Sequence, residues 1–228
     1  MGQQAITLLR QLDDYIYEPV NCLTHLLGAL ASVFGMVALL VVVWGDPLSV
    51  FSFGVYGLSS VLLYLASSLF HGLKVGPERR RLLLKLDHVG IFALIAGSYT
   101  PLALISLKNH STSLGWTFFF VVWGFATLGI VFKLRWLDAP RWLSTLFYVL
   151  LGWAAVFAMP SVAQALSVWG VSLLLLGGLL YSVGAVVFVL QRPNLYPGIL
   201  GHHELWHLFV LAGGACHYLM LFLFVAPS

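Results

Sequence analysis

The chain has 228 residues, of which 61% are hydrophobic and 8% charged. That charge share is about a third of ordinary usage, too little to coat a soluble domain of this size, so the composition implies one compact multi-span membrane domain over residues 1–228. The net charge of +3 and the pI near 9.0 do not imply a nucleic-acid partner, because the basic residues sit in short loops between apolar runs, where membrane topology accounts for them.

Residues 1–19 read as a short cytoplasmic segment with no cleavable signal peptide. Within it, 5–17 mixes apolar and charged residues and predicts a short helix lying in the interface. Seven apolar runs then qualify, or nearly qualify, as spans: 20–44, 48–73, 86–107, 114–132, 142–158, 168–190 and 203–225. The fifth is the weakest, being short and ended by Pro160. The runs are separated by breakers such as Gly45-Asp46-Pro47, Gly76-Pro77 and Asp138-Ala139-Pro140. Gly97-Ser98-Tyr99-Thr100-Pro101 reads either as the end of the third helix or as a proline kink whose freed backbone groups are met by hydroxyls. Cys22 and Cys216 lie inside apolar runs and read as small packing residues, not a disulfide. The predicted fold is an all-α seven-transmembrane-helix bundle.

Lysine and arginine decide its orientation. Arg10, Lys74, Arg79, Arg80, Arg81, Lys85, Lys133, Arg135, Arg141 and Arg192 fall on one side, and Lys108 alone falls on the other. This asymmetry puts the N-terminus in the cytoplasm and, after seven spans, the C-terminus outside.

Ionisable groups in spans are costly and by default mark function. Here several gather at one depth. Glu18, Asn21 and His25 open span 1 on one helix face. Ser67 and His71 close span 2, Asp87 opens span 3, and His203 and His207 open span 7. Two histidines one turn apart can share an ion, and a third imidazole from another helix makes a three-histidine zinc site with its fourth position open to water. Asp87 is then placed to take the proton of that water, and Ser67 to support a ligand or contact the reacting oxygen. His203-Glu204-Leu205-Trp206-His207 also spells H-E-x-x-H, so by spacing alone Glu204 competes with Asp87 for the role of base. Glu18 and Asn21 serve equally well as a helix cap ahead of Pro19 or as support for the metal ligands, and His25, on the same face, is the third candidate for that support.

The plainer readings are that His25, His88, His110 and His202 are interfacial residues satisfied by water or backbone. His217 lies ten residues past His207, about 15 Å deeper, and reads as a packing or cavity residue.

Glu18-x-x-Asn21-x-x-Thr24-His25, Ser67-x-x-x-His71, Asp87-His88-x-x-Ile91 running to Pro101, and His203-Glu204-Leu205-Trp206-His207 together resemble the hemolysin III family. That family comprises bacterial relatives of the progestin and adipoQ receptors. The resemblance covers nearly the whole chain. It implies a seven-helix bundle with intramembrane zinc held by His71, His203 and His207, with Ser67 and Asp87 as the supporting and water-holding partners. The wider superfamily includes alkaline ceramidases, so a membrane lipid is implied as substrate or ligand, and a bacterial plasma membrane as the location. Receptors of the family often lack a glutamate at the position of Glu204, which favours Asp87 as base. The family name implies cytolysis, but no residue here resembles a pore-forming toxin. A lipid-amide or lipid-ester hydrolase and a non-enzymatic sensor with structural zinc are the leading readings, and H-E-x-x-H alone leaves a membrane-embedded zinc protease open. A transporter or pore is weaker, because the polar groups cluster at one leaflet.

Overall fold

The computed structural model describes Leu12, residues 14–196 and residues 199–227. The interfacial helix expected over 5–17 falls largely outside the described residues. Among those residues, seven helices are long and apolar enough to cross a membrane: α1 (Pro19–Val42), α2 (Pro47–Gly72), α3 (Pro77–His110), α4 (Thr112–Arg135), α5 (Arg141–Ala165), α6 (Val168–Leu190) and α7 (His202–Val225).

Local chemistry sets their starts. Proline occupies the first turn of α1, α2 and α3, where its missing N–H is not needed. Asp46 caps α2 by accepting from the Ser49 amide at 2.9 Å, and Ser167 caps α6 by accepting from Gly170 N at 3.2 Å.

Sequence neighbours pack side by side, and α7 closes back on α1. In α3, 72% of the most apolar stretch is buried, against 22% in α1 and in α6, so α3 is the inner helix and the others turn broad faces to lipid. Close approach of α2 and α3 requires Gly90, where an added Cβ would lie 2.8 Å from the Leu63 backbone.

Of the two readings of Gly97–Pro101, the helix end does not hold: α3 runs on past Pro101, as the apolar run over 86–107 implied. It continues through a π-helical stretch, Leu102–Leu107, while Thr100 and Ser98 bond back to the carbonyls of Ala96 and Ile95, each at 2.9 Å. A ring lacking an N–H is absorbed by widening the helix one turn on. Likewise α5 does not stop at Pro160. The helix breaks earlier, after Gly152, passes through a 3₁₀ turn (Ala154–Ala158) and resumes at Met159 with Pro160 in its first turn. The Tyr99 hydroxyl bridges this break, donating to the Gly152 carbonyl and accepting from Ala155 N at 3.2 Å.

The start of α1, the end of α2 and the start of α7 lie together at the end of the bundle that carries most of the basic loop residues, hereafter the basic end. Tyr17 N and Glu18 N donate to the carbonyls of Gly72 and His71 at 3.2 and 2.8 Å, tying the chain ahead of α1 to the end of α2.

Candidate metal centre and its cavity

His203 and His207 stand one turn apart at the start of α7, so their rings project from one face. His71 meets them from the last turn of α2. One ligand nitrogen from each of the three lies within 4.8 Å of the others. Each pair of rings meets edge to face, with centroids 4.8 to 5.0 Å apart. His71 and His207 are buried and His203 is half-buried.

Surrounding groups fit a bound cation. Glu18 contacts His71 Nδ1 through Oε2, which leaves Nε2 of that ring for a metal. A carboxylate behind a ligating imidazole holds its tautomer and raises its basicity. Burial pushes the Glu18 carboxyl up, but the effects led by the hydrogen bond from His71 outweigh this and hold it well below its ordinary value. Glu18 is held in turn by Asn21 Nδ2 at 3.2 Å and faces Arg80 at 4.0 Å. The Arg80 guanidinium lies between the Tyr17 and Phe70 rings, 3.8 and 4.5 Å from their centres. Glu18 starts α1 but makes no side-chain cap, so of its two expected roles the geometry matches support of His71. His207 Nδ1 is buried with no hydrogen-bond partner, a costly state for a polar atom that no ligand meets. Three converging imidazoles suit zinc, and equally other imidazole-preferring ions.

His25 departs from its interfacial reading. It is buried, stacked on His207 at 3.7 Å with the rings 11° from parallel, and neither of its nitrogens has a hydrogen-bond partner. Its depth on α1, two turns in, carries it past the interface and against the ligand cluster. His88 bonds the Leu84 carbonyl at 2.8 Å, His202 bonds Asn194 at 3.2 Å, and His110 is exposed at the opposite end.

The two candidate bases part company. Glu204 accepts from the Gly201 amide at 2.8 Å through one oxygen and from Asn21 at 2.9 Å through the other. It is committed to the start of α7 and to α1. Asp87 and Ser67 instead line a cavity of about 510 Å³ on which His71, His203 and His207 also open.

That cavity runs inside the bundle from Asp138, Arg141 and His202 at the basic end to Trp153, Tyr181 and His217 deep within it. Leu94, Ile95 and Val210 line the cavity too, together with Ser98, Tyr99 and Ser182. His217 bonds the Leu174 carbonyl at 3.2 Å against the Tyr181 ring, the cavity position its depth implied. A chamber that carries its charged groups at one end, and aliphatic and aromatic side chains with uncharged polar ones beyond, fits a molecule with a polar head and an aliphatic tail.

Sequence reading passed over Lys133 and Tyr148, which also line this chamber. A signal for Lys133 existed: it continues the buried stripe Val122, Ala126 and Gly129 along α4.

Comparison with known proteins agrees with this architecture. The family model described as "Haemolysin-III related" matches residues 14–218. Hemolysin-3 of Bacillus cereus is 36% identical over 223 residues, covering 96% of this chain and 97% of that protein. The hemolysin-3 homolog of Bacillus subtilis (strain 168) is 38% identical over 200 residues, 87% and 89% of the two chains. Human monocyte to macrophage differentiation factor is 25% identical over 213 residues, 91% and 84%.

Proposed function

The chain belongs to the haemolysin-III-related family, and from that premise we propose that it is a zinc-dependent hydrolase of a lipid amide or ester. The observation that carries the reading is the convergence of three imidazoles on one point at the wall of an amphipathic chamber. His71, His203 and His207 would hold the metal, and zinc bound there would supply Lewis acidity for a carbonyl oxygen and for water. Asp87 takes the proton as the water oxygen bonds the carbonyl carbon. It returns that proton to the departing nitrogen or oxygen as the C–N or C–O bond breaks. Ser67 donates a hydrogen bond to the reacting oxygen, and Glu18 fixes the His71 ring. The far part of the chamber takes the acyl chain. With the basic loops in the cytoplasm, the site lies at the inner leaflet of a plasma membrane, close to the depth of lipid headgroup linkages.

The test is elemental analysis of the purified protein together with a screen of lipid amides and esters, before and after chelation. Metal in proportion to protein and turnover that chelation abolishes and zinc restores are the expected results. Bound metal with no cleavage of any lipid would move the reading to a second one, a lipid sensor with structural zinc. One observation favours that alternative: the ligands join α2 to α7, and Asn21 joins α1 to α7 through Glu204, so the cluster staples the ring of helices shut.

A further inference from the structure

The chamber has a second polar wall, built by α4 and α5. Lys133, in the last turn of α4, is 2% exposed. Its ammonium donates to the Leu137 carbonyl at 2.8 Å and to Ser144 Oγ at 3.2 Å. An ammonium has three donors, so one remains for the cavity that Lys133 lines. Both acceptors are neutral. The ion pairs among the described residues belong to His71, Arg80 and Arg81, and Asp138 is the partner of Arg81 at 3.0 Å. Asp87 and Asp138 line the same cavity, but neither carboxylate pairs with Lys133, and a buried ammonium bonded only to neutral acceptors is an expensive arrangement. A second, independent sign stands beside it. Tyr148, on α5, lines the same wall, and its buried hydroxyl has no partner. Arg141, at the start of α5, adds another cation to the lining.

We propose that Lys133, with Tyr148 and Arg141, forms a subsite for an anionic group, a phosphate or carboxylate, on the aliphatic ligand of this chamber. The proposal deepens the reading of the cavity as a lipid chamber and rests on it. A purely structural lysine closing the C-terminus of α4 accounts for the bond to Leu137 and leaves the partnerless Tyr148 hydroxyl unexplained. The subsite adds a selectivity that the histidines alone do not provide. Of two ligands with the same chain, the one carrying negative charge is held on the α4–α5 wall, with its tail in the far part.

Binding to the full-length protein, purified in detergent and stripped of metal, tests this independently of any hydrolysis. The probes are hexadecyl phosphate, palmitate and hexadecanol, which share a chain and differ in the head. Stripped wild type is expected to bind at least one anion about tenfold or more tighter than the alcohol. Lys133→Met should bring that preference close to unity while leaving hexadecanol affinity unchanged, Lys133→Arg should restore most of it, and Tyr148→Phe should reduce it. Preference for the phosphate assigns the subsite to a lipid headgroup, and preference for palmitate assigns it to a fatty acid. Equal affinity for all three probes overturns the proposal. So does a preference that survives Lys133→Met, or one that appears only in metal-loaded protein. Should Lys133→Met fail to fold, Tyr148→Phe decides: an unaltered preference there also overturns it. A protein that hydrolyses nothing still gives a clear result in this assay, so the two readings fail separately.

Discussion

Polar side chains behave differently at the two ends of this bundle. At the basic end, the buried ones bond from one element to another: Asn21 to Glu204 at 2.9 Å, Glu18 to His71, and Cys22 to Ser68 at 3.5 Å. Towards the other end, serine hydroxyls mostly bond back to their own helix, as Ser52 does to Leu48 at 2.7 Å and Ser172 to Val168 at 2.8 Å, although Thr100 also accepts from Trp123 of α4 at 3.0 Å. The first kind fixes helices relative to one another and so defines a site. The second kind repairs or saturates backbone and defines nothing beyond its own turn. Burial of a polar residue is therefore a weak pointer to function in this chain, and bonding across helices is a strong one.

The contrast breaks most visibly at the ligands. His207→Ala should remove bound metal altogether, with loss of any metal-dependent turnover, read by elemental analysis against wild type. Retained metal at wild-type occupancy would dismiss the three-imidazole centre. Next in size is the pair Asp87→Asn and Glu204→Gln. Asp87→Asn should keep the metal and lower turnover by roughly 10²–10⁴-fold. Glu204→Gln should keep most turnover and cost about 1 kcal/mol at the start of α7, measured by thermal unfolding. The reverse ranking would make Glu204 the base. Smaller again is Glu18→Gln, expected to weaken metal binding by about 10- to 100-fold in a chelator competition while the fold persists. An unchanged affinity would mean that Glu18 supports the helix ends alone.

The number of spans, the inward α7 pair and the convergence with His71 were legible in the sequence, because each follows from a period or a depth. Run length gives spans, four-residue spacing gives a shared face, and distance from a loop gives the level in the membrane. What the sequence hid lies between elements. H-E-x-x-H made Glu204 look catalytic, yet Glu204 is one residue past His203 and therefore about 100° round the helix from it. Only the packing of α1 against α7 reveals that it accepts from Asn21. His25 looked interfacial because its helix-mouth position is clear from sequence, whereas its stacking on His207 depends on where α7 closes the ring. Lys133 was legible as a loop charge on the basic side. The helical stripe it continues hinted at burial, but its bond to Ser144 depends on the path of the loop into α5, which no periodicity encodes. Pro101 and Pro160 were visible as breakers, but whether a helix ends, widens or restarts at a proline is decided by the neighbours that meet the freed carbonyls.

The smallest expected effect is the sharpest check on the contrast between the two ends. Ser52 is fully buried near the start of α2, and its hydroxyl reaches only the Leu48 carbonyl of its own helix. That carbonyl already accepts in the helical ladder, so removing the hydroxyl strands no partner. Average side-chain hydrogen bonds within membrane bundles contribute about 0.6 kcal/mol, and bonds back to the i−4 carbonyl are the least specific of them. Ser52→Ala should therefore shift unfolding by about 0.5 kcal/mol or less, with metal content and probe binding unchanged. A loss of several kcal/mol would show that a hydroxyl bonded only to its own turn still sets how α2 packs. The line between site-defining and backbone-saturating polar groups would then have to be redrawn.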